Sequence, residues 1–148
     1  LLALHALKQE FKGKVKLIYI DPPYNTGNDS FAYNDNFNHS TWLTFMRNRL
    51  MVARDLLRED GLIFIQCDDN EQAYLKVLMD EIFKPINFIN TIISKATPNA
   101  RDYGHIGKMH EYIQMYAKNY DKTISYHLED KNKKNRSMDL MLLLSMKT

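Results

Sequence analysis

Leu17-Ile18-Tyr19-Ile20-Asp21-Pro22-Pro23-Tyr24-Asn25-Thr26-Gly27 is the stretch that decides the fold. Four apolar residues in a row, closed by turn formers, predict a short strand in a sheet covered on both faces. The strand has to stop at Asp21, because two successive prolines carry no N–H for a ladder. Beyond it comes a rigid, extended turn at the carboxyl end of a strand. It presents a carboxylate, carbonyls with no adjacent donor and an aromatic ring. Open α/β sheets place their ligands at that end. An isolated Pro-Pro pair reads as a plain loop; the acid before it and the tyrosine after it favour a site.

The flanking sequence supplies the rest of an α/β pattern. Leu4, Leu7 and Phe11 form one stripe of an N-terminal helix, with Gly13 suited to its C-terminal cap. Lys12, Lys14 and Lys16 read as solvated charge around the strand. Downstream, Ser40 or Thr41 can cap a helix on which Trp42, Phe45, Met46, Leu50, Ala53 and Leu57 recur at helical spacing. Arg47, Arg54 and Arg58 fall elsewhere on it and read as solvated. Asp60-Gly61 is expected to end this helix, and Leu62 to Ile65 to form a second buried strand. A further helix carries Leu75, Leu78, Met79 and Ile82 and closes at Pro85. Strand–helix–strand–helix alternation predicts right-handed parallel crossovers. Phe88 to Ser94 and Tyr112 to Ala117 are β-prone. No internal repeat is present.

A chain of 148 residues, 45% apolar and 26% charged, is enough for one folded domain with a real core. Its formal charge of +2 means that any contact with nucleic acid comes from local clusters. Cys67, the single cysteine, excludes an internal disulfide, suits a reducing cytoplasm and reads as a small core residue. No apolar run approaches the ~20 residues of a membrane span. The first residues lack a leader pattern and an initiator methionine, so the chain is expected to begin inside a longer protein.

Metal chemistry is weakly signalled. Asp68 and Asp69 lack the further oxygen ligands a hard cation wants and are expected to cap the next helix. His105 and His110 have no cysteine or carboxylate partners at zinc-ligand spacing. With Arg101 and Lys108 they lie on a polar stretch, Lys95 to His110, that suits either a basic loop near nucleic acid or an ordinary hairpin connection. Asn25 to Ser40, rich in Asn, Asp and aromatics (Phe31, Tyr33, Phe37), is expected to be a long loop. Residues 131–136 form a charged run, expected to be solvated.

Asp21-Pro22-Pro23-Tyr24 after an apolar strand resembles the catalytic motif of amino-group DNA methyltransferases that use S-adenosylmethionine. Val15 to Phe31, Trp42 to Leu57 and Gly61 to Glu71 together resemble the modification (Mod) subunit of type III restriction–modification systems, a β-class adenine methyltransferase. The resemblance implies a partial Rossmann-like, S-adenosylmethionine-dependent methyltransferase fold of the α/β class, with a mostly parallel sheet and an antiparallel edge hairpin. It implies that the Asp21 side chain and the Pro22 carbonyl accept the two hydrogens of an exocyclic amine, within a turn stiffened by Pro22 and Pro23. Tyr24 would stack on a base flipped out of double-stranded DNA, and the segment from Asn25 to Ser40 would line its pocket. Asp21 would also face the donor. Asp at this position favours adenine N6 over cytosine N4, and Cys67 is not in the Pro-Cys turn that cytosine-ring methylation uses.

The family's donor loop, Phe-x-Gly-x-Gly, has no counterpart among the five glycines, so the chain is expected to hold only the catalytic half of the domain. Residues 1–128 are assigned to that half, and 129–148 to an irregular tail, truncated or out of frame. A Mod homodimer and a Res helicase–nuclease are the partners the resemblance implies. The alternative is a degenerate fragment that binds DNA or a partner without catalysis.

Overall fold

The computed structural model describes residues 1–25, 38–95 and 109–123, and the backbone of 141–145. The order along the chain is α1 (Leu2–Phe11), β1 (Val15–Asp21), α2 (His39–Leu56), β2 (Leu57–Cys67), α3 (Gln72–Phe83), β3 (Phe88–Lys95), β4 (His110–Ala117) and β5 (Met141–Ser145). Among the described residues a five-stranded sheet runs β3-β4-β2-β1-β5. β1 pairs in parallel with β2 on one side and with β5 on the other. β4 runs antiparallel to both β2 and β3, which makes the antiparallel edge hairpin that the family resemblance implied. Among these five strands β4 alone is therefore reversed in direction.

The core explains why these elements meet. Trp42, Met46, Leu50, Ala53 and Leu56 form one buried stripe on α2, and Leu75, Leu78, Met79 and Phe83 another on α3. They pack with Ile18 and Ile20 of β1 and Ile63 and Ile65 of β2, which pair across the ladder in register. α1 adds Leu4 to the same cluster, with Leu7 and Phe11 partly buried beside it. Successive strand residues point to opposite faces, so the other face of the sheet carries Tyr19, Asp21, Phe64 and Gln66, all half-buried. The rings of Tyr19 and Phe64 stack there, 6.5 Å apart. The expectation of burial on both faces is thus corrected: among the described residues only the helical face is sealed.

Three local expectations also change. The helix expected to run to Asp60-Gly61 ends at Leu56, and Leu57 is already a strand residue paired with Val15. β2 bulges before Leu62 meets Leu17, and side chains pull this bulge inward: Asp60 takes Lys16 Nζ at 2.8 Å and Arg58 Nε at 2.9 Å. Those partners, Arg58 first, hold the Asp60 carboxyl down at about 2 despite some burial. Lys16 and Arg58 are therefore ion-paired, as is Arg47, which grips Glu81 of α3 with both guanidinium ends at 2.7 and 2.6 Å. The cap of α2 is Asn38, whose side chain accepts from Thr41 N at 2.8 Å, in place of Ser40 or Thr41. The tail expected to be irregular contains β5, where the apolar run Leu142–Leu144 extends along β1.

Gly61 is required by close approach. A Cβ there would sit 2.9 Å from the Arg58 carbonyl and 3.1 Å from that of Val15. Both are backbone atoms of the bulge and cannot swing away. Gly61→Ala is expected to cost about 1–3 kcal/mol, read as a lower urea midpoint at unchanged m; an unchanged midpoint would mean that the bulge yields more easily than these distances imply.

Candidate active site

β1 lies between two parallel neighbours, so its carboxyl end sits in the middle of a three-strand ledge. Asp21, the last residue of β1, pairs with Ser145 of β5, and Ile20 pairs with Ile65 on the other side. The two prolines then turn the chain. Pro22 and Pro23 are buried, whereas Asp21 and Tyr24 keep partial exposure. The turn is braced from below: the indole of Trp42, fully buried in the first turns of α2, donates from Nε1 to the Pro23 carbonyl at 2.8 Å. Pro23 is thereby committed to the scaffold, while the motif's acid and ring stay partly exposed, the acid with Oδ1 buried.

A polar chain runs across the open face of the sheet beside the turn. The Tyr24 hydroxyl donates to Glu111 Oε2 at 3.2 Å. The same oxygen accepts from Gln66 Nε2, and Gln66 Oε1 accepts from the Tyr19 hydroxyl. Glu111 reaches the site from β4, and Gln66 from β2. Burial, then the charges of Asp21 and Glu111, push the Tyr24 phenol far above its ordinary value. Tyr19 moves the same way for the same reasons. Both rings are therefore neutral at any working pH, and Tyr24 is held by its edge as a donor.

On the other side of the turn, Asn25 adopts the left-handed region with φ 58° and donates from Nδ2 to Glu71 Oε1 at 2.5 Å. Glu71 precedes α3 and is fully buried; its Oε1 also lies 2.9 Å from Nδ1 of His39, the first residue of α2.

The neighbouring residues have structural work. Cys67 is buried, and burial pushes its thiol up to about 12, so it is inert core. Asp68 and Asp69 do not cap α3 with their side chains, which corrects the expectation. Asp68 Oδ1 closes a turn by accepting from Asn70 N at 2.9 Å, and Asp69 Oδ1 accepts from the Tyr112 hydroxyl at 2.8 Å. His110 bonds the same hydroxyl through Nε2 at 2.8 Å. Among the described residues no three His, Cys, Asp or Glu side chains gather as a metal would need, and no helix is long and apolar enough to cross a membrane. Arg101, His105, Lys108 and the aromatics Phe31, Tyr33 and Phe37 lie outside the described residues.

The structure thus brings Asp21, Pro22, Pro23 and Tyr24 into one turn and adds Trp42, Gln66, Asn25, Glu71 and Glu111, whose roles here the sequence reading did not assign. Two signals were present. Period-two alternation puts Tyr19, Asp21, Phe64 and Gln66 on one face, and Gln66 is the polar residue that follows the apolar run Leu62 to Ile65. Glu111 gave no local signal, since its place depends on how β4 pairs with β2.

A family model described as DNA methylase matches residues 15–141. The protein named "Probable type III restriction-modification enzyme HindVI Mod subunit", from Haemophilus influenzae, is 58% identical over 126 residues, covering 82% of this chain and 17% of its own length. The EcoP15I Mod subunit of a type III restriction–modification enzyme from Escherichia coli is 42% identical over 143 residues, covering 76% of this chain and 22% of its own. This chain therefore spans about a fifth of those relatives. The crystal structure of an M1.HpyAVI–SAM complex superposes with a TM-score of 0.56 over 95% of this chain and 62% of that one, at 20% identity, which shows a shared fold. With the Asp-Pro-Pro-Tyr turn at the end of the central parallel strand, this chain belongs to the DNA methylase family and is similar to type III Mod subunits.

Proposed function

We propose that this chain forms the base-holding half of a DNA adenine N6-methyltransferase that takes its methyl group from S-adenosylmethionine. The observation that carries the reading is the braced turn: a partly buried carboxylate, with Oδ1 turned inward, and a partly buried ring on two buried prolines, pinned by Trp42. An exocyclic amine is a poor nucleophile because its lone pair is delocalised into the purine. Accepting both its hydrogens, one on the Asp21 carboxylate and one on the Pro22 carbonyl, holds the nitrogen nearer tetrahedral and frees that pair. Asp21 need not be a strong base, since the proton can leave after the transfer. Tyr24 stacks on the extruded base, a contact worth ~1–3 kcal/mol in single-strand binders. The contribution of these residues is positioning and charge placement.

The described residues do not fit a complete donor site. Gly13 sits at φ +68° just past α1, and Gly61 is packed into the β2 bulge, so neither is placed to cradle a cofactor. These residues supply the acceptor side of the reaction, and the donor cradle belongs to sequence beyond them. Kinship to Mod subunits supports double-stranded DNA as substrate, a second Mod copy and a Res subunit as partners, and the cytoplasm as the place of action.

The deciding experiment joins this segment to the rest of a methyltransferase domain and identifies the product on duplex DNA by mass spectrometry with labelled donor. N6-methyladenine is the expected product. N4-methylcytosine would overturn the adenine assignment, and an unlabelled duplex would favour a binding fragment.

A further inference from the structure

Twelve residues, 26–37, separate the catalytic turn from the cap of α2, and the two junctions of that segment meet at one atom. Asn25 stands at its upstream end and His39 just past its downstream end; both bond Glu71 Oε1, at 2.5 and 2.9 Å. Glu71 itself has no exposure, although the His39 side chain beside it is 54% exposed. Its backbone is locked as well, since its carbonyl accepts the first bond of α3, from Leu75 N at 2.8 Å. The second carboxylate oxygen, Oε2, is buried with no hydrogen-bond partner among the described residues.

That is an expensive way to fill a core position. A buried carboxylate is unfavourable unless its donors compensate, and a carbon side chain of similar size would fill the volume without the penalty. The side-chain interactions it makes among the described residues go to the segment ends. One of them secures Asn25 at φ 58°, in the left-handed region that asparagine enters more readily than other non-glycine residues, and fixes that choice of conformation. Asn25 is covalently next to Tyr24, so its conformation sets the direction in which the chain leaves the stacking ring.

We propose that Glu71 is the positioning residue of this site: it ties both ends of the 26–37 segment to the start of α3 and, through Asn25, fixes Tyr24. The inference rests on the reading of Asp21 to Tyr24 as the base-holding turn, and its test is arranged so that the two can fail separately.

The first arm needs no activity. In the 148-residue chain, amide exchange is measured at residues 24–25 and 39–41 for wild type, Glu71→Gln and Glu71→Ala. Alanine is expected to speed exchange at both ends together, with β1 and the middle of α2 unchanged. Glutamine keeps the Oε1 acceptor and should stay close to wild type. Change at one end only, or none, overturns the proposal; global loss of protection in the alanine variant passes the decision to Glu71→Gln and Asn25→Ala. In that case Asn25→Ala must speed exchange at residues 24–25 while Glu71→Gln preserves it, and any other pattern overturns the proposal.

The second arm uses a complete methyltransferase carrying these residues. Glu71→Ala should lower kcat about 10–100-fold, as misplacement of a reacting group by an ångström does, with KM for DNA within about threefold. Glu71→Gln should restore most of kcat. A KM effect without a kcat effect, or glutamine as damaging as alanine, overturns the positioning role. If wild type methylates nothing while the exchange result holds, the functional reading has failed and the tie at Glu71 has not.

Discussion

Asp21→Ala is expected to cut methyl transfer about 10²–10⁴-fold, the range seen when a group that acts on the reacting centre is removed. Asp21 is the only acid of the motif and ends the central strand, partly buried on the face that carries Tyr19 and Gln66, with Oδ1 turned inward. Pro22 and Pro23 are buried next to it, so the turn does not relax to bring another oxygen into its place. The loss should fall on kcat, because the hydrogen bond from the amine strengthens as the nitrogen gains positive charge in the transition state. If the complete enzyme holds duplex DNA mainly by the phosphate contacts common to DNA-binding proteins, its affinity for DNA should change little. Asp21→Asn is a sharper version: it keeps one acceptor oxygen and the shape of the carboxylate but none of its charge, so its rate should lie between wild type and alanine. Steady-state rates with labelled donor, alongside circular dichroism to verify folding, check both. Activity within about twofold of wild type in the alanine variant would remove Asp21 from the mechanism.

The same stretch shows how much is legible from sequence alone. The Leu17 to Ile20 run, ended by two prolines, defined the strand and its end because only backbone chemistry was involved. The stripes of α2 and α3 were legible for a similar reason: periodicity reports one helix face whatever it packs against. Reading failed where tertiary contact overrides local preference. Nothing local says that α2 stops at Leu56; the bulge is held by Lys16, which is 44 residues from Asp60 in sequence. The acids Asp68 and Asp69 looked like caps because charge near a helix start is the common case, yet Tyr112 from another strand takes one of them. The site divides along the same line. The residues proposed to react are contiguous and were visible, while Glu111 and Glu71 lie 87 and 46 residues away in sequence from Tyr24 and Asn25, which they bond, and were not. β5 was missed for a different reason, since five apolar residues after a charged run give too short a signal to separate strand from tail.

Trp42 joins the two halves of that division, and its removal is expected to give the largest loss of stability of any single change in the chain. It is fully buried, the bulkiest of the buried side chains, and its indole N–H is the donor to Pro23. Trp42→Ala should cost about 3–5 kcal/mol, as large-to-small changes of an aromatic in a core do. For a domain of this size that approaches the whole of its stability, so the variant is expected to be largely unfolded at about 37 °C. Trp42→Phe separates packing from hydrogen bonding. Most of the volume stays, but the Pro23 carbonyl loses its donor in a buried place, at about 1–3 kcal/mol. The phenylalanine variant should therefore fold and yet hold its turn less firmly. In a complete methyltransferase its kcat should fall more than its urea midpoint suggests, because the Pro22 carbonyl shares the loosened backbone with Pro23. Trp42 is the chain's single tryptophan, so unfolding must be followed in both variants by far-ultraviolet circular dichroism and not by fluorescence. Equal midpoints for wild type and Trp42→Phe would show that the Pro23 bond is not what steadies the turn. Equal midpoints together with unchanged kcat would place the rigidity in the two prolines alone, and Trp42 would be core filling.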